Sequence, residues 1–146
     1  MKIRNLIAVF IGILVSITII IVGEALVHVL SPLPSEVNMN DPESFKLFIT
    51  NAPVFLHLII LGNYALACFV GGLISSVIAL DKKMNRAMSL GGIIMGVGMF
   101  SLISLSHPLW VVISSVFIFL PFAYLGGMIG LRMSTKKKLN SEFSKK

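Results

Sequence analysis

The sequence predicts an all-α integral membrane protein, a four-transmembrane-helix bundle built as two helical hairpins. Three observations lead there. Four apolar runs are each long enough to cross a bilayer. Charged residues make up only 12% of the 146-residue chain, against 56% hydrophobic. Nearly every basic residue falls on one side of an alternating path through four spans. A hydrocarbon core of about 30 Å takes about 20 helical residues, and a soluble domain carries about a quarter charged residues. At a mean hydropathy of +0.96, a soluble fold would have too few polar side chains to cover its apolar surface.

The spans cover residues 5–30, 53–80, 87–106 and 108–131, so that 1–131 form a single transmembrane domain. Many residues in them are β-branched, but barrel strands are about 10 residues long and alternate in polarity, and these runs do neither. Asp81 to Arg86 is a short charged turn, and Ser106-His107-Pro108 is a tight one, with Pro108 suited to the first position of a helix. Residues 132–146 form a basic cytoplasmic tail, expected to be frayed.

Orientation follows from counting charges. Lys2, Arg4, Lys82, Lys83, Arg86, Arg132, Lys136, Lys137, Lys138, Lys145 and Lys146 are eleven of the twelve basic residues and share one side. Lys46 alone lies opposite, with Glu36, Asp41 and Glu43. Positive charge resists translocation, so the basic side, with both termini, is expected to be cytoplasmic. The net charge of +6 does not point to nucleic acid, because the basic residues sit in short clusters between apolar runs with no aromatic-basic face. Lys2 and Arg4, the apolar stretch and Gly23-Glu24-Ala25 also have the outline of a signal peptide. The stretch is long for that role and the glutamate unhelpful at a cleavage site; whether the first span is cleaved stays open.

The loop between the first two spans carries its own signal. Asp41 is placed to cap a helix, Pro42 occupies its first turn and Glu43 suits the positive end of its dipole. Phe45, Phe48 and Ile49 then share one face. Asn51 and Pro53 close a short helix expected to lie in the interface.

Small residues mark helix contacts. Gly92 and Gly96, Gly126 and Gly130, and Gly72 and Ser76 each form a small-xxx-small pair that lets backbones approach. The glycine pairs Gly92, Gly96, Gly126 and Gly130 serve either the monomer core or a homo-oligomer. Phe69 to Ile74 resembles Tyr124 to Ile129 in sequence, with lysines after both, a weak internal repeat. Pro121 is expected to kink the fourth helix. The stripe of Met88, Met95 and Met99 reads as core packing rather than a copper path. Cys68, the single cysteine, excludes an internal disulfide and paired-thiol chemistry.

The clearest polar feature is Glu24 with His28, four apart on one helix face. A charge inside a span is costly unless paired, protonated or hydrated. Counting about 1.5 Å per residue from Arg4 puts Glu24 some 30 Å along the helix, in the outer leaflet. His57, one turn into the second span, and His107, in the last turn, fall at the same level. Three imidazoles and a carboxylate at one depth have three readings: separate structural polar residues, a proton-sensitive cluster, or a zinc or copper site. Sequence gives their depth but not their azimuth. Asn63, near the midplane, needs a partner such as a neighbouring backbone carbonyl, Ser101 or Ser104, or else contacts a ligand. Trp110 reads as an interface anchor.

The pattern Glu24 and His28, Ser31-Pro32-Leu33-Pro34, Asn40-Asp41-Pro42-Glu43, Gly71-Gly72, His107-Pro108-Leu109-Trp110 and Leu120 to Gly127 resembles a family of small uncharacterised bacterial four-helix inner-membrane proteins. The resemblance covers most of the chain except the tail. It implies a bacterial inner-membrane location and carries no activity. Small multidrug transporters also have four helices and a glutamate in the first, but their glutamate is deeper, their loops shorter and their basic residues less one-sided.

The expected function is therefore a small, non-enzymatic membrane protein with an outer-leaflet Glu/His site for an ion, proton or small ligand. The alternative is a proton-coupled small-molecule transporter acting as a dimer. An enzyme is not expected, since no nucleophile–base pair, paired cysteines or midplane histidine pair for haem stands out.

Overall fold

The computed structural model describes residues 2–30, 32, 41–105 and 107–143. They form five helices: α1 (Lys2–Leu30), α2 (Pro42–Asn51), α3 (Val54–Ile78), α4 (Lys83–Ser104) and α5 (Leu109–Phe143). Four of them, over Ile3–Leu30, Val54–Ile78, Lys83–Ser104 and Leu109–Lys136, are long and apolar enough to cross a membrane. Large apolar side chains cover the outside, Phe100 and Phe117 each 74% exposed and Leu109 78%. Such a surface is stable only in lipid, so the chain is a multi-pass membrane protein of the predicted four-helix class.

The helices pack unequally. α3 is central, lying against α1, α4 and α5, and α5 also packs on α4. α1 leans on α3 with a thinner contact to α4, and among the described residues it does not reach α5. Its contact face is a stripe of small and polar residues, Asn5, Ala8, Gly12 and Ser16, all buried. The spacing keeps them on one side of the helix. A Cβ on Gly12 would lie 2.8 Å from the Gly71 carbonyl oxygen, and the Ser16 hydroxyl donates to the Ala67 carbonyl at 2.9 Å.

The α3–α5 crossing is closer still. A Cβ on Gly72 would meet the Ala123 carbonyl oxygen at 2.5 Å, and one on Gly126 would overlap the Phe69 carbonyl oxygen. A Cβ on Gly130 would likewise overlap the Ser76 hydroxyl. Without side-chain bulk the backbones gain dispersion contacts that lipid cannot match. The two repeated Gly-Gly segments thus meet each other. Gly126 and Gly130 pack inside the chain, the first of the two roles open to them. Gly92 and Gly96 meet nothing within 4 Å.

At the end where α1 begins, Asn5 ties the first helix to the α3–α4 turn. Its amide nitrogen donates to the Asp81 carboxylate, and its oxygen accepts from the Leu80 N–H at 3.0 Å. Arg4 donates to the Ile78 carbonyl at 3.2 Å, placing a cation at the negative end of α3. Lys82, left-handed at φ 44° and ψ 42°, turns the chain into α4, which therefore starts four residues before the predicted span. α5 also exceeds its prediction. Arg132 to Phe143 continue as helix rather than fraying, because the stretch contains no glycine or proline and several good helix formers. The end of the tail, residues 144–146, lies outside the described residues, as does most of the Ser31 to Asn40 segment.

Candidate functional site

The site lies where α1 and α4 finish and α3 and α5 begin. Asp41 caps α2 as the sequence predicts, its carboxylate accepting from the Glu43 N–H at 3.2 Å. The helix brings Phe48 and Ile49 over the bundle end. Beneath it are two adjoining cavities. The larger, about 110 Å³, is lined by Glu24, His28, Tyr64 and His107 among apolar side chains. The smaller, about 50 Å³, is lined by His28, His57 and His107. Val27, Ile49 and Ile60 are common to both. The four ionisable residues placed at one level by sequence therefore gather around two adjoining cavities, Glu24 on the larger, His57 on the smaller, and His28 and His107 on both.

Each is held differently. Glu24, half-buried on α1, accepts a 3.3 Å hydrogen bond from the Tyr64 hydroxyl of α3. Tyr64 is 2% exposed and stacks on Phe119 of α5 at 5.4 Å, so its hydroxyl position is set by the core. Ser101 of α4 bears on the same hydroxyl. His28, one turn beyond Glu24, is exposed at the cavity mouth. His57 is 3% exposed, with Nδ1 3.4 Å from the Pro53 carbonyl. Its ring lies 5.6 Å edge-on from His107 and 5.6 Å from Trp110.

His107 is the unusual member. Its backbone N–H donates to the Leu102 carbonyl at 3.0 Å, closing the α4–α5 turn. Its Nδ1 is buried with no hydrogen-bond partner among the described residues. Burial first, and the facing His57 second, push its pKa from the usual 6.5 down to about 4. The ring is thus held neutral near pH 7.

Asn63 is not part of this site. Its amide donates to the Ile20 carbonyl at 3.1 Å and covers Gly23, and it lines neither cavity. It joins α3 to α1, with a backbone carbonyl as partner rather than Ser101 or Ser104. The residue that sequence reasoning missed is its neighbour. Tyr64 lies seven residues from His57, on the same helix face and about 10 Å deeper, which was the available signal. Met95 and Met99 pack against the core, as expected of gap-filling side chains, and Cys68 is fully buried.

Chemically, the larger cavity is an apolar chamber with one carboxylate, one phenol and two imidazoles on its walls, and the smaller adds the third imidazole, His57. Among the described residues no group of three or more His, Cys, Asp or Glu side chains is arranged to hold a metal ion. No lysine or arginine is among the side chains lining either cavity. No protein-family model, curated protein or solved structure matches the chain, so the arrangement of these side chains is what speaks for its function.

Proposed function

We propose that this chain is a small, non-enzymatic protein of the bacterial inner membrane that holds a small ligand or ion in a chamber opening on the outer face. The observation that carries this reading is the convergence of Glu24, His28, Tyr64 and His107 on one cavity of about 110 Å³. Ionisable residues in or at the edge of a membrane span are expensive, and their gathering around one cavity is best explained by a ligand site. The outward assignment rests on the opposite end of the bundle, where Arg4, Lys82, Lys83, Arg86, Arg132 and Lys136 collect. The bacterial location rests on the family resemblance.

Site-specific thiol labelling tests it. Leu105 lines the larger cavity and is 37% exposed, while Phe100 projects away at 74%. Native Cys68 is fully buried and gives a low background. In intact cells, Leu105→Cys is expected to react with a small membrane-impermeant thiol reagent, and Phe100→Cys to stay unlabelled within lipid. Labelling of Leu105→Cys only after the cells are opened would place the chamber on the wrong side and defeat the proposal.

A further inference from the structure

The geometry points to a small primary or secondary ammonium ion with a short apolar body as the occupant, its N–H donors shared between the Glu24 carboxylate and His107 Nδ1. This rests on the chamber being the ligand site proposed above and adds the class of ligand.

The polar side chains lining the larger cavity are Glu24, His28, Tyr64 and His107. The Glu24 carboxylate accepts one hydrogen bond, from Tyr64, and has lone pairs to spare. Tyr64 has committed its proton to Glu24, and Ser101 already bears on its oxygen, so it offers a ligand no donor. His107 Nδ1 is buried and unpartnered, and burial beside His57 keeps that ring neutral. A neutral imidazole with its proton on Nε2 offers Nδ1 as an acceptor. The matching ligand must donate from one centre in two directions.

Charge narrows the class further. The cavity lining holds no lysine or arginine, and His28, four residues on from Glu24, is exposed, so the half-buried Glu24 carboxyl group favours a cationic occupant. An anion would be disfavoured. A neutral alcohol has a single donor and no charge. A divalent ion needs several hard ligands, and no such group is present among the described residues. A monocation with N–H donors satisfies both the charge and the orphaned nitrogen. A quaternary ammonium supplies the charge without the donors.

Size sets the body. A dry cavity of about 150 Å³ accommodates benzene, so one of about 110 Å³ suits about five non-hydrogen atoms. Val27, Ile49, Ile60 and Leu105 line it and would cover a short alkyl chain.

The experiment uses the full chain in lipid nanodiscs, with butylammonium as probe and tetramethylammonium as the donor-free comparison. Trp110, the single tryptophan, lies against His57, which lines the adjoining smaller cavity together with His28 and His107, and its fluorescence is the readout. Saturable binding of butylammonium is expected, with tetramethylammonium at least about tenfold weaker. Glu24→Gln should weaken butylammonium by about tenfold or more, and His107→Leu by roughly fivefold, the scale of lost charge-assisted hydrogen bonds. His107→Leu is an apolar replacement, so it serves as the second variant if Glu24→Gln does not fold. Butylammonium should also protect Leu105→Cys from the thiol reagent. Equal binding of both cations, or butylammonium affinity unchanged in His107→Leu, would overturn the shared-donor geometry. If Leu105→Cys labels from outside but butylammonium neither binds nor protects, the ligand class is wrong while the chamber reading stands. If Leu105→Cys does not label from outside, the chamber reading itself fails.

Discussion

The Tyr64 hydroxyl donates to the Glu24 carboxylate at 3.3 Å, joining two helices across the only acidic side chain of α1. This bond is the inner wall of the chamber. Its energy is measurable by a double-mutant cycle on Tyr64→Phe and Glu24→Leu. A coupling of about 1 kcal/mol is expected, between the averages for interhelical bonds in lipid and for bonds to charged groups. Reversible unfolding in mixed micelles checks it, and additive single effects would show that the bond contributes nothing.

The two classes of glycine should respond oppositely to a methyl group. Gly126→Ala drives a Cβ against the Phe69 backbone, which cannot move as a flexible side chain can. A loss of about 2 kcal/mol is expected. Gly96→Ala meets open space and should be neutral or slightly stabilising, within about 0.5 kcal/mol, through helix propensity. Unfolding of the two variants side by side is the measurement.

Asn5→Ala should cost about 2 kcal/mol, since it removes both the bond to Asp81 and the cover on the Leu80 N–H. Limited proteolysis should then cut the Ala79–Lys82 turn faster. Asn5→Asp should be worse than Ala, because it sets a second carboxylate against Asp81.

The pH dependence of stability has a defined sign. His107 has a folded-state pKa near 4, below its ordinary 6.5. Between those values the unfolded chain binds a proton that the folded chain does not. Stability therefore falls as pH drops from about 6.5 toward 4 and levels off below. The groups around it are His57, and across the cavities His28, Tyr64 and Glu24. In His107→Leu the decline should be shallower, as read by thermal unfolding at pH 7, 6 and 5.

Much of this was legible in the sequence because the relevant physics is one-dimensional. Hydropathy fixes where the chain crosses lipid, and the Asp41-Pro42-Glu43 cap fixes where α2 begins. Rise per residue put Glu24, His28, His57 and His107 at one depth. Azimuth is two-dimensional, and there the reading stopped. Spacing alone did not show that Gly126 and Gly130 turn inward while Gly96 turns out. Nor did it show that Asn63 is spent on the Ile20 carbonyl while Tyr64, one residue on, reaches the site. Strongly apolar helices carry little contrast between faces, so the packed side of α1 is marked only by small and polar residues at four-residue spacing.

The tie from Asn5 to Leu80 and Asp81 has a consequence for biosynthesis. The first helix enters the bilayer early in translation, yet its anchor is a turn made 75 residues later. Until α3 follows it into the bilayer α1 is a lone hydrophobic rod, and until the turn after α3 emerges it lacks its latch. Nascent chains arrested before Leu80 should therefore leave α1 free to be extracted by mild detergent, and chains arrested beyond α4 should hold it fast.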